Sequence, residues 1–434
     1  MAKTTLLQVL PLLILAVVKI VQLRLAKLNL SPIYFDLPDL PDLLELDERL
    51  ATNNVNFEMI GEGGELPYPE CLVLSSDEQY MFASLGDGRV ARIGNPQADN
   101  LDELKIEFIG RTGEDDENCG KGGPADTWAD GANMESKCGR PLGLWLLNST
   151  EGNDDGHRLL VADAYKGFVM FSNIYGDQAS IQTLATRAES DPLEYNFTLL
   201  NAVVATRNGD IYLTETSTKH QRRRLFHAAM EGHATGRLLR YRNETGKVEV
   251  VADNISMANG ITISHDEKSL LIVSGVRLLK FNLEAQKLDT DSFVKVMPGT
   301  GDNIKTMDTT PDGRKVKCYW AALGSPYKKP FSLFKFVADK VWLRSFILAF
   351  VPYETLIQLI PKWSVVAVYD EEGNVMETLR DDGKMVDEKG KKLGVSVPWL
   401  SELEPVGDWV YLASWYNPFL ARIKRDSIVA KGQW

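Results

Sequence analysis

The chain has 434 residues, of which 48 are Lys or Arg and 60 are Asp or Glu, so its formal net charge is −12. Charged residues make up 25% of the sequence and apolar residues 44%, which are the proportions of a folded globular protein and exclude a largely disordered chain. The acidic balance argues against nucleic acid as a partner, because phosphate binding needs a basic surface. Four cysteines are too few for a disulfide scaffold at this length.

The first predicted element is an apolar segment at the N-terminus. Residues 6–18 are apolar apart from Gln8, and after an interruption at Lys19 the apolar run resumes. A membrane span needs about 20 apolar residues, so this run is long enough if Lys19 snorkels and the span continues to Leu23. No small-x-small cleavage site follows it. We therefore predict an uncleaved signal-anchor over residues 1–23 and a linker over residues 24–54, with a cleaved signal peptide as the alternative.

Charge and modification signals disagree about the side of the membrane on which the rest of the chain lies. Basic residues at and after the end of the apolar run favour the cytoplasm. Four N-glycosylation sequons favour the secretory lumen instead; they begin at Asn148, Asn196, Asn243 and Asn254. Cys119 and Cys138 lie in a Gly-rich acidic loop where a disulfide could form, with two free thiols as the alternative. We predict a lumenal or cell-surface body, and we predict that Cys71 and Cys318, within apolar strand patterns, are buried and unpaired.

The body of the chain consists of short apolar strands separated by Asp/Asn-Gly turns. Three regular units span residues 72–93, 203–241 and 261–281, and less regular copies begin near residues 142, 304 and 403. Six copies of this kind predict an all-β protein, a six-bladed β-propeller over residues 55–434. Residues 55–60 are expected to close the ring by joining the last blade. An eight-bladed propeller or a sandwich is the alternative.

One segment of the fifth blade departs from the strand pattern. Residues 331–363 lack turn signals and carry apolar residues at helical spacing, and Pro352 is expected to open a second short helix over residues 353–360. Charged residues within the segment exclude a transmembrane helix. The helical insert is predicted to pack on the propeller face, with two further possibilities: a lid over the central pocket, or a surface that dips into the membrane.

Oxygen-bearing side chains stand just before the inner strands of four repeats. They are Glu70, Asn201, Asn259 and Asp302. Because the inner strands of a propeller line its axis, these equivalent positions are expected to converge on one point. Two carboxylates and two amide carbonyls suit Ca²⁺ rather than zinc, which calls for His or Cys. The sequence therefore predicts a calcium site at these four residues, the alternative being that they only cap strand ends.

Several motifs resemble those of the strictosidine synthase-like family. They include residues 138–144 (CGRPLGL), 161–167 (VADAYKG), 212–217 (YLTETS) and 297–304 (MPGTGDNI). The resemblance covers nearly the whole chain and implies a calcium-containing six-bladed propeller carried by a single-pass type II membrane glycoprotein. It also implies arylesterase-like hydrolysis, and the family's calcium ligands correspond to the same four residues that the repeats select.

Two departures from the family pattern bear on activity. Ala202 stands where relatives usually carry an Asp, which removes a candidate general base. Ser401 stands where strictosidine synthase uses a glutamate, with Glu402 on the opposite side of the strand, so condensing activity of that kind is not expected. Five histidines are present, none of them placed at the axis by the repeats; they are His157, His220, His227, His233 and His265. Those at 220–233 are expected in a solvated loop.

These features predict a membrane-anchored, calcium-dependent hydrolase of small esters or lactones, with catalytic residues unassigned. The alternative is a non-catalytic propeller, stabilised by calcium, that binds a ligand or a partner protein at the membrane surface.

Overall fold

The computed structural model describes residues 2–39, 50, 57–120, 132–147, 157–189, 196–326, 332–381 and 397–428. Twenty-four strands in this part of the chain form six four-stranded antiparallel sheets arranged as the blades of a propeller. The predicted six-bladed β-propeller is therefore confirmed. Apolar side chains fill the interface between each blade and the next, so the hydrophobic core is divided into six parts around the ring.

Blades one to three follow one another along the chain. The first consists of β2 (Leu72–Leu74), β3 (Tyr80–Ser84), β4 (Arg89–Gly94) and β5 (Lys105–Arg111). The second consists of β6 (Pro141–Leu147), β7 (Arg158–Asp163), β8 (Gly167–Ser172) and β9 (Ser180–Ala185). The third consists of β10 (Leu200–Ala205), β11 (Ile211–Glu215), β12 (Gly236–Arg242) and β13 (Lys247–Ile255).

Blades four to six complete the ring. The fourth consists of β14 (Ala258–Ile263), β15 (Ser269–Ser274), β16 (Arg277–Asn282) and β17 (Lys287–Leu288). The fifth consists of β18 (Gly299–Thr309), β19 (Lys315–Pro326), β20 (Ser364–Tyr369) and β21 (Val375–Asp381). The sixth contains β22 (Leu400–Val406), β23 (Trp409–Ser414), β24 (Leu420–Lys424) and, as its outer strand, β1 (Phe57–Ile60).

The ring is closed by pairing of β1 with β24. Phe57 lies opposite Ile423 and Ile60 lies opposite Leu420 in this antiparallel pair. The closure predicted for residues 55–60 is confirmed over residues 57–60, while 55 and 56 lie outside the described residues. Because the first strand completes the last sheet, the two ends of the propeller are held together by backbone hydrogen bonds.

Helices lie at the end of the propeller where the inner strands begin. The chain starts with α1 (Ala2–Lys27), whereas α2 (Ala132–Cys138) precedes β6 and α3 (Leu225–Glu231) joins β11 to β12. The insert of blade five forms α4 (Leu333–Ala338), α5 (Val341–Phe350) and α6 (Tyr353–Gln358) between β19 and β20. The helical prediction for this insert is thus confirmed. Pro352 occupies the N-cap position of α6 as expected, and the helix ends two residues before the predicted end. Within the part of the chain that the structure describes, no helix combines the length and apolarity needed to cross a bilayer.

The cysteines behave as the sequence predicts. Cys119 and Cys138 form a disulfide with their Cα atoms 5.9 Å apart, which ties the segment after β5 to the end of α2. Cys71 and Cys318 are buried and unpaired. The disulfide therefore holds α2 in place directly before the inner strand of blade two.

Candidate functional site: the axial end of the propeller

A β-bulge recurs at the same place in the inner strands of blades two to five. In β10, Leu200 pairs with Glu215 and Val203 with Leu213, so that two residues of β10, Asn201 and Ala202, oppose the single residue Thr214 of β11. The same irregularity occurs in β6, β14 and β18. A bulge bends the strand locally and re-aims its side chains. The residues in the bulges of β10, β14 and β18 include Asn201, Asn259 and Asp302, which are three of the four predicted ligands.

Hydroxyl groups on the second strands link one blade to the next at this level. The Thr214 hydroxyl accepts a hydrogen bond from the N–H of Ala202 at 3.1 Å and donates to the carbonyl of Asn259 at 2.6 Å. The Ser84 hydroxyl does the same for the N–H of Cys71, at 3.0 Å, and the carbonyl of Leu142, at 2.7 Å. Cys71 therefore corresponds to Ala202, and the preceding residue Glu70 to Asn201. Blade two has an apolar residue, Leu142, at the position that Asn259 occupies in blade four.

Two of the predicted ligands are hydrogen-bonded to each other, and a third acts on them through its charge. Asn259 Nδ2 donates to Asp302 Oδ1 at 2.9 Å, and both Asp302 and Glu70 are buried. Burial and then the negative charge of Glu70 raise the pKa of Asp302 well above its usual value. Burial also raises the pKa of Glu70, although the charge of Arg140 opposes this effect. The two carboxyls thus share one desolvated region, where ionisation of both is unfavourable unless a cation is added.

Two observations indicate that the predicted ligands suit a hard cation. Among the described residues, Asn259 Oδ1 is buried and has no hydrogen-bond partner, and a buried carbonyl of this kind is costly to leave unsatisfied. The donors are all oxygens, as Ca²⁺ prefers. Within the described chain no three His, Cys, Asp or Glu side chains cluster as a metal site would require, so a cation here would depend on the two amides as well. Asn201 is buried at the equivalent bulge.

Buried arginines next to these carboxyls were not predicted from the sequence. Arg140 Nη2 lies 3.1 Å from Glu70 Oε2, and its own backbone N–H donates to Asp163 Oδ2 at 2.7 Å. Arg222 Nη1 lies 2.5 Å from Oε1 of Glu135, which belongs to α2, the helix that the disulfide holds in place. The signal for Arg140 was present in the CGRPLGL motif, but its partner lies 70 positions earlier in the chain, beyond the reach of local patterns.

A second buried charged group lies deeper along the axis. Lys305 Nζ contacts the carboxylate of Glu404 and lies 3.4 Å from Glu402 Oε1, while Glu402 Oε2 accepts from the N–H of Leu72 at 3.0 Å. The expectation that Glu402 faces away from the axis is therefore wrong. The register of β22 shifts between Leu400 and Glu402, which breaks the simple alternation assumed from the sequence. Ser401 donates instead to the carbonyl of Glu70 at 2.8 Å.

Helices α3 and α6 cover this end of the propeller. Ile357 of α6 and Trp399, which precedes β22, form an apolar cluster with Leu225 and Phe226 at the start of α3. The rings of Trp399 and Trp415 stack at 4.7 Å within the cluster. The insert is therefore packed on the face where the predicted ligands lie, as expected for a cover over the axis.

The segment at 220–233 is not the solvated loop that the sequence suggested. His220 is buried, with Nε2 2.7 Å from Glu231 Oε2, and His227 is buried with its ring centroid 4.6 Å from that of Tyr353. Burial lowers the pKa of His227 to about 4. The error arose because this segment is buried by α5, α6 and the N-terminal segment, which are distant in sequence. His157 and His265 contact Tyr175 and Tyr319 instead of the axial residues.

Fold and site together define a six-bladed propeller with polar oxygens gathered at one end of its axis. The strictosidine synthase family model matches residues 201–281. Adipocyte plasma membrane-associated protein of Rattus norvegicus is 30% identical over 389 residues, covering 88% of this chain and 86% of the relative. Strictosidine synthase-like protein 13 of Arabidopsis thaliana is also 30% identical, over 76% of this chain and 78% of its own length. The chain therefore belongs to the strictosidine synthase-like family, as a relative of adipocyte plasma membrane-associated protein.

A solved gluconolactonase structure from Xanthomonas campestris is similar in fold, with a TM-score of 0.47 and 12% sequence identity. The match covers 91% of this chain and 97% of that one.

Proposed function

We propose that the chain is a calcium-dependent hydrolase with arylesterase-like activity on small ester or lactone substrates, acting at the covered end of the propeller axis. One observation carries the proposal: Glu70, Asn259 and Asp302 share one buried region, and Asn259 Oδ1 has no partner among the described residues. Glu70, Asn201, Asn259 and Asp302 are the residues that would hold the ion.

Calcium in this position would polarise a substrate carbonyl and stabilise the oxyanion that develops on it. The protein's own groups prepare the region for such a reaction. Asn259 Nδ2 orients the Asp302 carboxyl, and Arg140 orients that of Glu70. The apolar cluster of α3 and α6 lies over this end of the axis, and the burial of Glu70 and Asp302 strengthens electrostatic interactions between them.

Turnover of phenyl acetate and of a small lactone by the purified full chain tests this proposal. We expect hydrolysis in calcium, loss of hydrolysis in chelator and recovery when calcium is restored. Glu70→Gln should raise the calcium concentration needed for half-maximal rate. Asp266→Asn, in a turn at the opposite end of blade four, is the matched control and should behave as the wild type. Hydrolysis that is indifferent to chelator would refute the role of the ion.

A non-catalytic binding protein is the second candidate, and the Arg140–Glu70 pair favours it. This ion pair already satisfies one carboxylate oxygen at 3.1 Å, and Ala202 supplies no base beside Asn201. In this case calcium would stabilise the propeller without any ester or lactone being turned over. Calcium-dependent melting combined with absent hydrolysis would therefore select the binding protein over the hydrolase.

We also propose that the chain is a single-pass type II membrane glycoprotein whose propeller lies in the secretory lumen or at the cell surface. The Cys119–Cys138 disulfide supports this placement, since disulfides persist in oxidising compartments. Of the four sequon asparagines, Asn196, Asn243 and Asn254 are exposed, and Asn148 lies outside the described residues. Replacing each by Gln should increase gel mobility of protein made in a secretory host. Unchanged mobility for all four would place the propeller in the cytoplasm.

A further inference from the structure

Helix α5 exposes a stripe of aromatic side chains. Trp342, Phe346 and Phe350 follow one another at four-residue spacing and therefore lie along one face of the helix. All three are exposed, Trp342 by 72%. The opposite face of α5 is buried and includes Arg344, whose guanidinium donates to the carbonyls of α3 and of the N-terminal segment. The aromatic stripe therefore takes no part in packing α5 on the propeller.

The N-terminal helix lies against α5, so its apolar segment and the stripe belong to one surface. Leu25 of α1 is buried in a cluster with Leu348 and Ala349 of α5. Arg24 Nη1 donates to the carbonyl of Ala349 at 3.1 Å, and its guanidinium lies 4.6 Å from the ring centroid of Phe350. These contacts hold the C-terminal end of α1 beside the stripe.

The exposure pattern of α1 indicates what covers this surface. Residues 12–15 are four consecutive large apolar side chains and all are more than half exposed. Consecutive residues are about 100° apart around a helix, so apolar side chains face outward on every side of α1. A folded protein partner covers one side of a helix, whereas the acyl chains of a bilayer surround the helix on all sides. The occupant that fits α1 is therefore lipid.

Charge near the stripe fits an anionic lipid surface. Residues 11–39 and 332–363 together contain seven basic and four acidic residues, in a chain whose net charge is −12. Arg344 is buried, and Lys335 and Lys340 pair with Asp39 and Asp339, so four exposed basic residues remain against two acidic ones. Lys340, at the start of α5, lies with Nζ 4.5 Å from the ring centroid of Phe336, which is also exposed. Basic residues beside apolar segments bind anionic headgroups, and Trp is enriched at the level of the headgroups.

We propose that the aromatic stripe of α5 lies in the headgroup layer of a bilayer, an inference that rests on the membrane attachment of α1 proposed above. The two helices and the exposed residues of α4 then form one membrane-bound surface, and the cover over the axial site rests on the membrane. The insert is thus a second point of membrane attachment, separate from any chemistry at the axis.

A fluorescent label at position 342 tests this proposal. Trp342→Cys in the full chain is labelled with an environment-sensitive dye and reconstituted into vesicles of phosphatidylcholine and phosphatidylserine. The native cysteines do not compete, because Cys71 and Cys318 are buried and the other two form the disulfide. Ile181→Cys, at an exposed position on the outer strand of blade two, is the control. Phe346→Cys is a second test position, on the same stripe, for use where the first variant does not fold.

The label on α5 is expected to shift to the blue in vesicles and to be quenched several-fold more than the control by lipids brominated near the headgroup. Quenching by lipids brominated deep in the acyl chains should be weaker, since the stripe lies at the headgroup level. No quenching in protein that is stably inserted in the vesicles would overturn the proposal. A blue shift without quenching would also overturn it, by showing that a second copy or another protein covers the stripe. Neither outcome bears on hydrolysis, which the chelator experiment tests separately.

Discussion

Replacing Asp302 by Asn should change the thermal stability of the protein in opposite directions in chelator and in calcium. Burial and the charge of Glu70 raise the pKa of Asp302 in the folded protein, whereas the unfolded chain has the ordinary value near 3.9. The folded state therefore holds the proton more tightly, and stability is lost as pH rises from the unfolded pKa through the folded one. Because Asn does not ionise, the variant in chelator at neutral pH should be at least as stable as the wild type.

In calcium the order should reverse, because the variant has one of the two carboxylates that compensate the ion. A ligand at 100 times its Kd stabilises the folded state by about 2.7 kcal/mol. The unfolding entropy is roughly 2.1 cal/mol/K per residue, or about 0.8 kcal/mol/K for the roughly 370 residues between positions 57 and 428. Calcium should therefore raise the wild-type Tm by about 3–4 °C. The variant should gain correspondingly less at the same calcium concentration.

Melting curves of wild type and variant in chelator and in calcium, recorded at pH values from about 5 to about 8, measure both effects. Asp266→Asn is the control, since Asp266 accepts from Ser264 in a turn at the opposite end of blade four, where the Asp266 side chain is exposed. Equal calcium shifts in wild type and Asp302→Asn would refute the assignment of Asp302 as a ligand. The absence of any calcium shift in the wild type would refute the site as a whole.

Three further substitutions test other parts of the structure. Replacing both Cys119 and Cys138 by Ser should destabilise the protein by about 3 kcal/mol, as expected for a loop of this length, and denaturant unfolding checks this. Burial depresses the pKa of His227 to about 4, so stability should fall as pH drops from about 6.5 towards 4; His227→Gln should flatten that part of the pH profile. Arg344→Met should leave the part-buried carbonyls of Met230 and Ile33 without their donor and destabilise the insert by about 1 kcal/mol for each lost hydrogen bond. An unchanged rate of proteolysis in the insert would contradict this.

The blades could be predicted from the sequence because their signals are local. A strand that is half buried alternates apolar and polar residues, and a hairpin needs a residue such as Gly88, at φ +92°, to turn. The disulfide was predicted in the same way, from two cysteines in one loop. Equivalent positions before the inner strands selected Glu70, Asn201, Asn259 and Asp302, and the structure places these residues at the beginning of the inner strands. Whether they bind calcium stays a prediction.

Only the tertiary structure decided which charges meet at the axis. Arg140 pairs with Glu70 and Lys305 with Glu402, and in each pair the partners come from different blades. A local pattern records the period of burial within one strand but not which side chains of two consecutive blades come into contact near the axis. The β-bulges have the same origin, because they depend on how an inner strand fits against the next blade, and the bulge in β22 reversed the side expected for Glu402.

At the covered end of the propeller, too, the sequence determined the elements and the tertiary structure decided how they pack. The sequence by itself determined that residues 331–363 form helices and that 6–23 form an apolar segment, since helical spacing and apolarity are properties of consecutive residues. It did not determine that α1 packs on α5, or that α3 carries His227 into a buried position beside Tyr353. Those contacts join segments more than 100 residues apart, and they form because six blades bring their connections together at one end of one axis.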